Sequence, residues 1–173
     1  MPQVSVHTGP LDTIPSTASA GLLFLRSFLP NLDSLDLAKN SITPFVTPSA
    51  IFIINGQAVG TLVQVSSMIE ARSTQLSAFR HDVIKAWDIA HDNPDSANTS
   101  PSLRRTVMYE STSVTVFKDD PEQAPVKVQE FNIVELEATA SQFGSESPQY
   151  MAVELRTFMD AKSVQERATK LTA

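Results

Sequence analysis

From residue 80 onward the apolar residues stop recurring at helical spacing and begin to alternate, and this change of period constrains the fold more than any other feature of the chain. The stretches "HDVIKAWDIA", "RTVMYESTSVTVF", "VKVQEFNIVELEA" and "QYMAVELRTFMDA" are four long runs rich in Val, Thr, Phe and Tyr, residues that suit a pleated, half-buried surface. Three polar linkers separate them: "HDNPDSANTSPS", "KDDPEQAP" and "SQFGSESP". Successive strands with short polar connections predict an antiparallel meander.

Ahead of the strands the pattern is helical. "ASAGLLFLRSFL" (18–29) is apolar over most of a helical surface and meets Pro30, which lacks the N–H that would continue a helix. "LDSLDLAKNSI" follows, with Asp33 placed as an N-cap and Asp36 in the first turn. "AIFIIN" (50–55) is a short β-branched run ending in Asn55-Gly56, a strong turn signal. Leu62, Val65, Ile69, Leu76 and Phe79 recur at helical spacing, which predicts one long amphipathic helix over 61–79. "AKSVQERATK" reads as a short closing helix, with Asp160 as its cap. Helices first and strands afterwards is the α+β pattern, one curved sheet wrapped round a helical layer. Residues 1–17, rich in Pro, Ser and Thr, read as a flexible tail, and 18–173 as a single domain.

Composition removes several function classes. The 173 residues carry a net charge of −6 and only 13 scattered basic residues, which disfavours nucleic acid as a partner. No cysteine is present, so there is no disulfide framework and no thiolate nucleophile. No apolar run reaches the ~18 residues that would span a bilayer, and no signal-peptide pattern is visible. These features predict a cytoplasmic protein that does not engage membranes. Five glycines leave no Gly-rich phosphate loop, and neither Gly-x-Ser-x-Gly nor His-Glu-x-x-His occurs. Nucleotide chemistry is disfavoured. The polar stretch with His91, Asp92 and Asp95 has poor metal-ligand spacing, and neither metal nor cofactor is expected.

The order of elements, with "TPSAIFIING" and "AVELRTFMDAKSV", resembles the nuclear transport factor two-like superfamily. The resemblance spans roughly residues 18–170. It implies a cone-shaped α+β fold with a curved antiparallel sheet, an internal pocket between sheet and helices, and a homodimer. Within that superfamily the chain looks most like the branch of the fungal scytalone dehydratase and the SnoaL-like polyketide cyclases. "DSLDL" is similar to that dehydratase's catalytic Asp motif and places Asp33 on it. "HDVIKAW" is similar to the strand whose opening histidine is catalytic, and places His81 there with Trp87 following. Glu110, in "MYEST", occupies the place of a second catalytic histidine. Asn132, in "EFNIVE", falls near a pocket asparagine. Two tyrosines of the pattern are missing: one position is Leu32, the other Ile54 or Asn55.

Eliminating water, or moving a double bond beside a carbonyl, needs one group to take a proton and another to return one. His81 titrates in the right range to be the general base, Asp33 could fix its tautomer, and a buried Glu110 could serve as acid. By strand alternation His81, Val83 and Trp87 share a face, as do Met108, Glu110, Thr112, Val114 and Val116, with Tyr109 opposite. Val128, Glu130, Asn132, Val134 and Leu136 line up together. Asn132, Asn55, Trp87, Glu130 and Arg156 are the candidate substrate contacts, although either face of the last strand could be the inner one. The bland reading of each stays open: Asp33 as a cap, His81 as a structural histidine, Glu110 and Glu130 as salt-bridge partners of Arg105, Arg156 or a second subunit.

Three functions fit these residues. A cofactor-independent lyase or isomerase acting on a cyclic or polyketide-like molecule needs Asp33 and His81 in contact at one pocket. A ligand-binding domain of the same fold needs neither. An epoxide hydrolase of the limonene type needs Arg156 between two acids.

Overall fold

A computed structural model describes residues 3–91, 104–139 and 150–172. In chain order the elements are β1 (Gln3–Thr8), α1 (Ala20–Asp33), β2 (Val46–Ile54), β3 (Gln57–Gly60), α2 (Leu62–Gln75), β4 (Leu76–Ala90), β5 (Arg104–Phe117), β6 (Val126–Ala138), β7 (Tyr150–Met159) and α3 (Lys162–Thr172). The strands form one seven-stranded sheet in the order β1-β4-β5-β6-β7-β2-β3. The four alternating runs make the predicted meander, β4 to β7.

The α+β class holds, but the sheet is mixed rather than wholly antiparallel. β2 lies parallel to β7, with Phe52 opposite Leu155 and Ile54 opposite Thr157. The β2–β3 hairpin precedes the meander in the chain yet docks on its far edge, and that placement dictates the strand direction. The hairpin turns at Asn55 and Gly56, whose φ values of 50° and 80° match the turn that Asn-Gly favours.

Four expectations for local structure change. Residues 3–8, read as part of a flexible tail, form β1 and pair with β4 from Gln3↔Ala90 to Thr8↔Lys85. Pro30 lies inside α1, which runs on to Asp33. Losing one backbone bond at Pro30 is offset by tertiary contacts on the last turn: Arg72 donates to the Leu32 carbonyl, and Asp33 accepts the His81 N–H at 2.7 Å. Asp33 is therefore the last residue of a helix and not the cap of the next, and residues 34–42 contain none. The helix expected over 61–79 stops at Gln75, so Leu76 and Phe79 belong to β4.

The core lies between the helices and the inner face of the sheet. Leu22, Leu25, Phe28 and Leu29 of α1 are buried against Ala86, Val107 and Leu136. Asp88 is wholly buried at the start of α1, where its carboxylate accepts the Gly21 N–H at 2.9 Å and a two-pronged Arg105 guanidinium at 2.9 and 2.6 Å. A Cβ at residue 21 would overlap that carboxylate, so the glycine is what lets the helix approach.

One extra residue in β4 decides which side chains reach the interior. Val83 pairs with Ser111 but Lys85 with Glu110, leaving Ile84 as a β-bulge that reverses the alternation. Before the bulge His81 and Val83 point inward; after it Ala86, Asp88 and Ala90 do.

Candidate active site

His81 and Glu130 meet at the wall of a cavity of about 570 Å³, and Asp33 backs His81 from behind that wall. Each arrives on a different element. The end of α1 carries Asp33, whose Oδ2 accepts the backbone N–H of His81 and whose Oδ1 lies 2.5 Å from His81 Nδ1. β4 turns the imidazole inward, and β6 brings Glu130 Oε2 to 3.1 Å from Nε2. Both ring nitrogens thus face carboxylates. The rest of the cavity is mostly apolar, lined by Leu32, Phe52, Ile69, Leu155 and Met159 among others.

Electrostatics follow from this packing. Burial pulls the His81 pKa down, but hydrogen bonds and charge from Asp33 and Glu130 outweigh it and push it up to about 9. Burial raises Glu130, yet His81, Ser113 and Asn132 overcome that and hold it below its ordinary value. Tyr109 of β5 also lines the cavity; burial first, then the charges of Glu130 and Asp33, push its phenol above the usual range. It remains a proton donor throughout the working pH range. At neutral pH His81 is therefore an imidazolium, held between Asp33 and Glu130.

The linkage has a definite sign. His81 is raised on folding, so its stabilisation is complete below pH 6.5, its unfolded value, and is lost as pH rises through about 9. The size is about 3 kcal/mol. Glu130 is lowered, so its share is present above its unfolded 4.5 and is lost as pH falls toward the lower folded value. Urea unfolding as a function of pH should show wild-type stability declining between neutrality and pH about 9, and His81→Gln should flatten that limb. An unchanged slope in the variant would refute the assignment.

Other candidate residues divide sharply. Asn132 is buried in the cavity wall, where its Oδ1 accepts from Thr157 Oγ1 at 2.7 Å and its Nδ2 donates to Ser111 Oγ at 3.4 Å. Glu110, expected to be the acid, is exposed on the outer face of β5, because Tyr109 and Ser111 take the inner positions. Trp87 lies beyond the Ile84 bulge and also faces outward, with its ring 6.5 Å from Phe131 and 4.9 Å from Lys85 Nζ. Asn55 has its amide committed to β7: Nδ2 donates to the Met159 carbonyl at 2.8 Å, and Oδ1 accepts the Met159 N–H at 2.9 Å. Arg156 lines the rim of the cavity, but its half-exposed guanidinium is paired with Glu154 at 2.5 Å. Glu130, read as a lesser contact, holds the place expected for Glu110.

Sequence reasoning missed Tyr109, Arg72 and Phe79. Tyr109 lies on the opposite face of β5 from Glu110, and two equally mixed faces give the sequence no means of choosing the inner one. Phe79 sits inside a helical pattern that ends earlier, at Gln75, while Arg72 is helical as expected and nothing in its spacing marks it as facing a cavity. Asp160 does act as expected at α3, accepting the Lys162 N–H at 3.0 Å. Arg167 of that helix clasps Asp120 at 3.0 and 2.5 Å, which holds Val164 over the cavity. No cluster of metal-ligand type occurs among the described residues; Asp92 and Asp95 lie outside them. No described helix is long and apolar enough to cross a membrane.

No family model matches the chain, and no curated protein matches it. Solved structures do. PrhC from Penicillium brasilianum aligns with a TM-score of 0.59 at 10% identity, covering 88% of each chain. A ketosteroid isomerase-like protein from Erwinia carotovora atroseptica aligns at 0.53 and 8% identity, over 81% of this chain and 93% of that one. A scytalone dehydratase candidate from Novosphingobium aromaticivorans aligns at 0.55 and 6% identity, over 82% of each. At these identities the likeness is one of fold. With its open sheet packed against the three described helices, the chain has the α+β fold of these proteins, the cone that the resemblance to the nuclear transport factor two-like superfamily implied.

Proposed function

We propose that the protein is a cofactor-independent lyase or isomerase of the dehydratase or cyclase type, working by acid–base catalysis on a small cyclic or polyketide-like molecule. The observation that carries this reading is an imidazole bonded on both nitrogens by carboxylates at the wall of a largely apolar cavity of about 570 Å³, a size suited to such a ligand. A domain that only binds needs no such cluster. The limonene-type hydrolase reading needs an arginine between two acids, whereas Arg156, at the cavity rim, pairs with one acid among the described residues, Glu154.

The raised pKa of His81 reassigns its role from base to acid. In a dehydration, substrate hydroxyl takes the Nε2–H from His81, and Glu130, released from that bond, accepts the proton on the carbon beside the carbonyl. The C–O bond breaks as the double bond forms, and water leaves. His81 is then neutral and Glu130 protonated. Their contact of 3.1 Å lets the proton return directly, so the resting state is restored without solvent. Asp33 holds the ring in place and favours its cationic form. An isomerisation uses the same two groups, with the proton returned to a different carbon.

The test is enone formation from cyclic β-hydroxyketones, followed by ultraviolet absorbance across pH. Turnover should hold near neutrality and fall as pH rises through about 9, where His81 loses its proton. Protein-independent rates at every pH would refute the proposal. The homodimer and cytoplasmic location remain part of this reading.

A further inference from the structure

Arg72 is a charged cavity residue that the acid–base cluster leaves unused, and unlike Arg156 it has no ion-pair partner among the described residues. It reaches the cavity from the last turn of α2. Its guanidinium makes one hydrogen bond among the described residues, from Nη2 to the Leu32 carbonyl. Nε is buried without a partner, and Nη1 has none among the described residues. A guanidinium carries five donors in a planar fork, and leaving most of them unmet in an apolar setting is costly. Burial accordingly lowers its pKa, against the pull of Asp33.

Its position is held by Phe79. The guanidinium carbon lies 4.1 Å from that ring's centroid, and the same ring meets the His81 imidazole edge-on at 5.1 Å between centroids. Arg72 and His81 are thus separated by about one phenyl ring. An oxygen atom held by Arg72 sets the neighbouring carbons of the same molecule beside His81 and Glu130. Counting Arg156, which also lines the cavity and is paired with Glu154 at 2.5 Å, the formal charges cancel: Asp33, Glu130 and Glu154 against a protonated His81, Arg72 and Arg156. A substrate bringing a net charge would unbalance a cluster that sits in low dielectric.

We infer that Arg72 is the polar anchor of the substrate, and that the substrate is an uncharged, apolar-bodied molecule whose carbonyl oxygen accepts from this guanidinium. The inference rests on the acid–base reading of the cavity and narrows its substrate class. As negative charge develops on the carbonyl oxygen during proton removal, the same guanidinium stabilises it. Arg72 then serves both binding and the transition state.

The experiment compares three bicyclic probes by calorimetric titration of the full chain: α-tetralone, tetralin and α-naphthoate. α-Tetralone should bind about tenfold or more tighter than tetralin, the difference expected of a hydrogen bond to a charged donor, and α-naphthoate should bind more weakly than α-tetralone. In Arg72→Met the preference for the ketone should vanish while tetralin affinity stays within about twofold. Arg72→Lys, which keeps a cation and a donor, should retain part of it. Equal affinities for ketone and hydrocarbon in the wild type, tightest binding of the naphthoate, no binding of any probe, or a ketone preference surviving Arg72→Met would each overturn the inference. The wild-type comparison stands even if a variant fails to fold. Binding is read without turnover, so a ketone preference with no enone formation would sink the catalytic reading and spare the anchor. His81-dependent turnover without a ketone preference would do the reverse.

Discussion

His81→Ala should lower enone formation by about a thousandfold, the scale of a positioned proton donor. The variant loses the proton that leaves with the hydroxyl and leaves Asp33 and Glu130 facing each other without the cation between them. Glu130→Gln should cost a similar factor by a different route: the amide still accepts from His81 Nε2 but takes no proton from carbon. Its partner should feel the change, because removing the Glu130 charge takes away part of what raises His81. The high-pH limb of the residual activity should therefore move below about 9. Asp33→Asn should do likewise, since Asp33 supplies the larger share of that effect. A His81→Ala protein that retains more than about a tenth of wild-type turnover would remove histidine from the mechanism.

Asp88→Ala should be the most destabilising single change outside the site, by about 3–5 kcal/mol in urea unfolding. Asp88 is fully buried and has three donors on it: the Gly21 N–H and two nitrogens of Arg105. Alanine leaves Arg105, which is only 11% exposed, as an unpaired cation, and it strips the start of α1 of its acceptor. Asp88→Asn keeps an acceptor for Gly21 and should cost less. The position lies on the far side of the Ile84 bulge from His81, so pocket binding in surviving folded protein should be little changed. A shift of under ~0.5 kcal/mol, the range of an ordinary surface substitution, would show that the pair contributes nothing.

The two residues share a strand, and they show how far the sequence can be read. His81 and Asp33 were placed together by short motifs, "HDVIKAW" and "DSLDL", and their contact at 2.5 Å agrees with that placement. Nothing in the sequence marks Asp88, because a charged residue on an alternating strand is normally a solvated one. Only the reversal at Ile84 turns it inward, toward a glycine on a helix 67 positions away in sequence. The same reversal moved Trp87 out. On β5 the two faces are about equally apolar, so Glu110 and Tyr109 could not be told apart by pattern. On β6 the alternation is clean, and Glu130 and Asn132 were placed on the correct face together.

The four-strand meander, the α+β class and the Asn55–Gly56 turn were written in local chemistry, because periodicity and turn preference act over a few residues. The Asp33–His81 pairing was legible only through the resemblance of two short motifs. The tertiary structure alone decided the parallel docking of β2 on β7, the capture of residues 3–8 as an edge strand, the passage of α1 through Pro30 and the choice of Glu130 over Glu110. Each of these depends on backbone or side-chain bonds between segments far apart in the chain. A one-residue bulge, invisible to composition, reverses every side chain beyond it.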